Sequence, residues 1–119
     1  MAVYMSVQEG GVLTARITGE IDHHSAGWLR MDIDTAINDR HPKVLRLDFS
    51  GVSFMDSSGV GLVMGRFKSM KLIGGSVELV NMPDYIEKVM LLAGMDKLAC
   101  IAGNETNKEE KCNAEATDK

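Results

Sequence analysis

The feature that most constrains the fold of this chain is the alternation of strand-like and helix-like segments from residue 44 onward. Residues 44–49 alternate apolar and polar side chains, which predicts a β-strand, and the short apolar run at 77–80 predicts another. Residues 57–72 between them place apolar side chains at helical spacing. Strands separated by a helix of about 10 to 15 residues need crossover connections, which join parallel neighbours. The chain is therefore predicted to be an α/β domain with a parallel or mixed sheet and helices packed against it.

The first part of the chain is predicted to add a β-hairpin and a helix. Residues 3–7 and 12–17 alternate apolar and polar side chains around a glycine-containing turn, as in a hairpin. A helix is predicted to follow, with Ser25 as its N-cap and Trp28 on its apolar stripe. Pro42 is expected to end this helix.

The last part of the chain predicts one more helix, a short strand and a polar tail. Pro83 begins the helix, Gly94 suits its C-terminal end, and residues 98–101 are the predicted strand. Residues 103–119 hold almost no apolar side chain and cannot offset the entropy lost on ordering, so they are predicted to be a flexible tail. The expected organisation is one domain over residues 1–102.

Composition argues against several classes of function. The net charge of −4 and pI near 5.3 disfavour nucleic acid, whose phosphates are bound by clustered basic residues. No apolar run approaches the length of about 20 residues that spans a membrane, and the N-terminus lacks a secretory signal, so a cytoplasmic protein is expected. Cys100 and Cys112 lack metal-ligand spacing, and the adjacent pair His23-His24 is interpreted as an exposed interface pair. Neither a metal nor another cofactor is predicted.

The segment with the most chemical information is Asp56-Ser57-Ser58-Gly59, where the predicted helix begins. A helix N-terminus has free N–H groups and a positive dipole end, so a phosphate on either serine is compatible with the fold. The modification adds a charge of about −1.5 to −2 to an exposed surface that already carries Asp56, which affects whatever docks there. The alternative is that Asp56 or Ser57 only caps the helix, and the two roles are compatible.

Other interpretations of this region are weaker. Gly59, Gly61 and Gly65 superficially resemble a dinucleotide-binding turn, but that turn needs its glycines directly at the strand end. Gly61 and Gly65 are instead expected to let the helix approach the sheet. A serine hydrolase is disfavoured because no glycine lies two residues before the serine. Arg66 and Lys68 are interpreted as solvated charges on the outer face of the helix.

The run Phe54-Met55-Asp56-Ser57-Ser58-Gly59, with the glycines and basic residues that follow it, closely resembles the anti-anti-sigma factors of the STAS domain family. The sporulation-type members are the most similar. A second matching segment at 18–26 lies where the family joins its second strand to its first helix, and the resemblance extends over residues 2–101.

This resemblance implies a single STAS-like domain with a four- to five-stranded mixed sheet and helices packed mainly on one face. It implies that Ser57 is the phosphoacceptor and that the chain is not an enzyme. In the family, the unphosphorylated form binds an anti-sigma factor that is also a serine kinase, which frees the sigma factor. That kinase supplies the ATP, and a metal-dependent serine phosphatase reverses the modification.

By the same resemblance, the docking face for the kinase is assigned to residues at the two matching segments. With the histidine pair added, they are Asp22, His23, His24, Asp56, Ser57, Ser58 and Gly59. A second possibility keeps the fold but changes the partner: a STAS interaction module for a general-stress regulator or a signalling complex.

Overall fold

Strands and helices follow one another in the predicted order in the computed structural model, which describes residues 2–98 and 100–102. The elements are β1 (Ala2–Gln8), β2 (Val12–Ile21), α1 (His23–Arg40), β3 (Val44–Met55), α2 (Ser58–Leu72), β4 (Ser76–Val80), α3 (Asp84–Leu92), a 3-10 turn (Met95–Lys97) and β5 (Cys100–Ala102). The predicted hairpin, crossover helices and short final strand are therefore all present.

The strands form one five-stranded mixed sheet in the order β1-β2-β3-β4-β5. β1 pairs antiparallel with β2 through a turn in which Gly10 and Gly11 have φ angles of 84° and 81°, a conformation that favours glycine. All other neighbouring strands are parallel. The predicted α/β class and mixed sheet are confirmed.

Alternate residues of the central strands point into one apolar core, and the helices cover that face. β3 contributes Leu45, Leu47 and Phe49, each fully buried. The opposite face is polar, and on it Arg46 Nε lies 2.6 Å from Glu78 Oε1. The helices add the rest of the core, chiefly Leu29, Ile33, Ile37, Leu62, Val63, Met70, Ile86 and Met90.

The start and the phase of α1 differ from the prediction. The helix begins at His23 with Asp22 as N-cap, and Ser25 is the third helical residue instead of the cap. Leu29 is fully buried, whereas Trp28, expected on the apolar stripe, is 66% exposed. Several large apolar residues crowd this helix, so more than one stripe fits the sequence, and packing on the sheet selects the one through Leu29.

β3 is longer than the predicted strand at 44–49, because it continues to Met55 where a loop was expected. This extension pairs with the end of β2, with Thr18 opposite Gly51 and Ile21 opposite Met55, through two register shifts. Bulges of this kind interrupt regular alternation, which explains why the extension was missed.

The described ranges contain no helix that is both long and apolar enough to cross a membrane. The expected polar tail at 103–119, with Cys112 and the domain boundary after residue 102, lies outside the described residues.

Candidate functional site

The predicted site residues gather at the sheet edge where the neighbouring parallel strands β2 and β3 end. Asp22 directly follows β2, and Asp56 and Ser57 directly follow β3. The N–H of Asp56 donates to the carbonyl oxygen of Ile21 at 3.1 Å, which fixes the two strand ends side by side. Helices α1 and α2 both start from this edge.

Asp22 is held rigidly by a capping box at the start of α1. Its Oδ1 accepts from the N–H of His24 at 3.0 Å and from the N–H of Ser25 at 2.9 Å. In return Ser25 Oγ accepts from the N–H of Asp22 at 2.9 Å and donates to the carbonyl of Glu20 at 2.8 Å. The hydrogen bond from the Ser25 N–H lowers the pKa of Asp22 below its ordinary value of 3.8. The site therefore carries a fixed negative charge here at neutral pH.

Ser57 occupies the N-cap position of α2, but its side chain does not cap the helix. Asp56 Oδ1 accepts from the N–H of Ser58 at 2.8 Å. Ser57 contributes its carbonyl oxygen to the N–H groups of Val60 and Gly61, at 3.1 and 3.3 Å. Its side chain is exposed and has no hydrogen-bond partner among the described residues. The carboxylate of Asp56 thus does the capping and leaves the Ser57 hydroxyl available at the positive end of the helix.

Gly59 lies beneath this surface instead of on it. The residue is buried, and a Cβ built at this position overlaps the Met55 side chain. Any larger residue here would force the Met55 side chain to move, so glycine suits the packing of the first turn of α2 on the end of β3.

The two histidines are exposed and point toward different hollows. His23 lines the groove between α1 and α2, whereas His24 lines a shallow depression with Asp22 and Trp28. Their ring centroids are 6.1 Å apart. Within residues 2–98 and 100–102, no group of three or more His, Cys, Asp or Glu side chains is arranged to hold a metal ion.

Trp28 belongs to the site, although the sequence pattern assigned it to the core. Its large exposed ring stands beside Asp22, one helical turn into α1, and exposed Trp is a common anchor of protein interfaces. The position of Trp28 on the helix could have identified it as exposed. Trp28 lies next to Leu29, and only one of these two side chains can face the sheet.

The interpretation of Arg66 as a solvated charge is wrong. Arg66 is only 5% exposed, and its Nε lies 2.8 Å from Asp34 Oδ1 on α1. Nε therefore makes a buried ionic contact with the carboxylate, while Nη1 donates to the carbonyl of Leu62 at 3.4 Å. Burial lowers the pKa of Arg66, and nearby Arg30 lowers it further against the opposing effect of Asp34.

Gly61 and Gly65 also differ from the prediction, because they do not bring α2 close to the sheet. A Cβ built on either residue meets no atom within 4 Å in the described ranges. Both line the space between α1 and α2, which we call the α1–α2 groove; its walls include Gly27 and Arg30 of α1. Ser58, at the start of α2, lines the same groove.

Comparison with known proteins shows which family this fold resembles. The profile of the STAS domain matches residues 4–108. The chain is 35% identical over 97 residues to the anti-sigma F factor antagonist of Paenibacillus polymyxa, an alignment that covers 82% of this chain and 83% of that relative.

Two solved structures are similar over nearly the whole chain. The anti-sigma factor antagonist SpoIIAA in its unphosphorylated form superposes with a TM-score of 0.75 at 30% identity and covers 97% of both chains. The phosphorylated form of the Bacillus cell fate determinant SpoIIAA gives a TM-score of 0.69 at 30% identity, over 95% of this chain and 99% of that one. The fold described above is thus similar to both forms of that protein.

Proposed function

The chain belongs to the STAS domain family, and we propose that it acts as an anti-sigma factor antagonist switched by phosphorylation of Ser57. The unphosphorylated form binds an anti-sigma factor and so releases the sigma factor. The observation that carries this proposal is the exposed Ser57 hydroxyl, which has no hydrogen-bond partner among the described residues and lies at the start of a helix capped by its neighbour Asp56.

Phosphorylation of Ser57 is expected to act on the partner and leave the fold intact. The hydroxyl makes no bond within the described residues that phosphorylation would break, and the helix dipole favours an added anion. Asp22 and Asp56 already make the surrounding surface acidic. A phosphate adds about −1.5 to −2 charge to this surface, so a partner that accepts the unmodified surface meets extra bulk and negative charge.

The proposed docking face is the site edge of the sheet. It consists of Asp22, His23, His24, Asp56, Ser57, Ser58 and, as the backbone that lets α2 begin there, Gly59. All of them follow β2 or β3 within a few residues, so a single partner surface can contact both segments.

The partner on this proposal is an anti-sigma factor that is also a serine kinase and holds the ATP itself. This chain needs only to present the hydroxyl in line with the γ-phosphate, so no catalytic group of its own is required. A serine phosphatase returns phospho-Ser57 to its binding form. On the same proposal the protein acts in the cytoplasm.

Phosphate mapping tests the phosphoacceptor. The purified chain, incubated with its anti-sigma kinase and MgATP, is expected to gain one phosphate at Ser57 by mass spectrometry. Ser57→Ala is expected to gain none, while Ser76→Ala, an exposed serine at the opposite end of the sheet, is modified like the wild type. A phosphate on Ser58, or no phosphate on the wild type, rejects the assignment.

Calorimetry tests the switch itself. Ser57→Asp is expected to bind the kinase at least about tenfold more weakly than Ser57→Ala, because added charge rather than a lost hydrogen bond drives release. Equal affinities for the two variants contradict the mechanism.

A further inference from the structure

The α1–α2 groove is an open space among the described residues. Gly27, Gly61 and Gly65 all lie inside helices, and a Cβ built on any of them meets no atom of the described residues within 4 Å. A glycine in a helix interior is less favourable than alanine. Packing among the described residues therefore gives no reason for these glycines, whereas close approach of a second molecule does.

The groove also carries an excess of positive charge. Arg66 is only 5% exposed and lines the groove, with its Nε in ionic contact with Asp34. Arg30 lines the same groove and lies near enough to Arg66 to repel it. Asp34 is the carboxylate in contact with Arg66, so within the part of the chain that the structure describes two guanidinium groups face one carboxylate. An anionic group in the groove would balance this charge.

The groove is continuous with the proposed docking face. Ser58, adjacent to Ser57, and His23, adjacent to Asp22, both line it. Its volume of about 480 Å³ accommodates a few side chains. A protein bound over Ser57 can therefore contact the groove as part of the same interface.

We propose that the α1–α2 groove binds an acidic segment of the partner protein, with a partner carboxylate placed between Arg30 and Arg66 and the partner backbone lying against the glycines. This inference rests on the proposed function and identifies a second contact of the same partner. Arginine is suited to this role because its planar guanidinium pairs with a carboxylate through two hydrogen bonds. The acidic surface around Ser57 and the basic groove beside it would then fix the orientation of the partner.

The test compares two changes in the groove with a matched change outside it. Arg30→Glu reverses the charge of an exposed groove residue, and Gly65→Leu fills the open space with a residue that favours helix. Lys68→Glu is the control, because Lys68 is exposed on α2 and is not among the residues that line the groove. Circular dichroism and a thermal melt check the folding of each variant, and calorimetry with the anti-sigma kinase measures its affinity.

We expect Arg30→Glu and Gly65→Leu each to weaken binding at least about tenfold, and Lys68→Glu to remain within about twofold of the wild type. If Arg30→Glu matches the control while Ser57→Asp still releases the kinase, the groove proposal is overturned and the proposed function stands. A loss in Gly65→Leu without one in Arg30→Glu overturns the acidic partner segment. If the wild type does not bind the kinase at all, the proposed function fails and this inference fails with it.

Discussion

The N–H of Asp56 and the carbonyl oxygen of Ile21 are joined by a hydrogen bond of 3.1 Å that closes the ladder between β2 and β3. One residue beyond Ile21 lies Asp22, the N-cap of α1, and one residue beyond Asp56 lies Ser57, the N-cap of α2. Because both chain segments turn into helices immediately after this bond, the charge of Asp22 and the hydroxyl of Ser57 belong to one surface. Phosphorylation of Ser57 therefore alters a surface that also contains Asp22, which comes from a different segment of the chain.

Because Asp56 caps α2 and Ser57 does not, the two residues are predicted to differ in their effect on stability. Asp56→Ala is expected to lower the free energy of unfolding by about 1 kcal/mol, because the N–H of Ser58 loses its acceptor. Ser57→Ala is expected to change it by less than about 0.5 kcal/mol, because the Ser57 side chain makes no capping bond. Urea denaturation measures both. If Ser57→Ala is the more costly change, the assignment of the cap to Asp56 is wrong.

Asp22 predicts a pH dependence of stability. Its pKa is lower in the folded state than its ordinary value of 3.8, chiefly because of the hydrogen bond from the Ser25 N–H. The stability contributed by the charged form is fully present above the unfolded pKa and is lost as the pH falls through the lower folded pKa. The difference in unfolding free energy between wild type and Asp22→Ala should accordingly be constant near neutrality and shrink below about pH 4. A difference that grows on acidification contradicts this assignment.

The order of the elements and the place of Ser57 were both predictable, because each depends on local sequence. The alternation at 44–49 and the helical spacing at 57–72 are properties of neighbouring residues. The position of Ser57 follows from the predicted start of the helix at residue 57. The extension of β3 to Met55 was not predictable, since its pairing with β2 passes through two register shifts.

Trp28 and Arg66 show what local sequence does not determine. Trp28 and Leu29 are equally plausible core residues until α1 is placed on the sheet, and the structure buries Leu29. The burial of Arg66 depends on Asp34, which lies on another helix. No spacing within α2 distinguishes an arginine that meets such a partner from one that faces water.

The ion pair between Arg66 and Asp34 predicts that neutralising Asp34 costs more stability than neutralising an exposed aspartate on the same helix. Asp34→Asn leaves the buried guanidinium without its carboxylate, and the free energy of unfolding is expected to fall by about 1 to 3 kcal/mol. This is less than the roughly 3 to 5 kcal/mol of a fully buried pair, because Asp34 is itself 35% exposed. Asp32→Asn, an exposed change on the same helix, serves as the control and is expected to cost less than about 0.5 kcal/mol. Urea denaturation compares the two, and equal costs argue that the contact has no net stabilising effect.

Two glycines only two positions apart in α2 should respond to alanine in opposite directions. At Gly59 the added Cβ overlaps Met55, so Gly59→Ala is expected to lower the unfolding free energy by about 1 to 3 kcal/mol. At Gly61 the added Cβ meets open space, so Gly61→Ala is expected to raise it by about 0.4 to 1 kcal/mol. Thermal melts of the two variants measure the sign of each effect. Stabilisation by both substitutions means that Met55 moves aside freely and that the close packing at Gly59 is not needed.

Trp28 offers a direct optical measurement of partner binding, since it is the single tryptophan of the chain and is 66% exposed beside Asp22 and His24. When the anti-sigma kinase covers the docking face, the fluorescence of Trp28 is expected to shift to shorter wavelength, because its indole leaves water. Trp28→Ala is expected to weaken binding by about 1 to 2 kcal/mol without lowering the free energy of unfolding, since truncating a large interface aromatic costs contact area only in the complex. Leu72→Ala is the matched control, because Leu72 is 88% exposed at the far end of α2. This substitution is expected to change neither the affinity for the kinase nor the free energy of unfolding. An unchanged emission spectrum on saturation with the kinase places Trp28 outside the interface, whatever the state of Ser57.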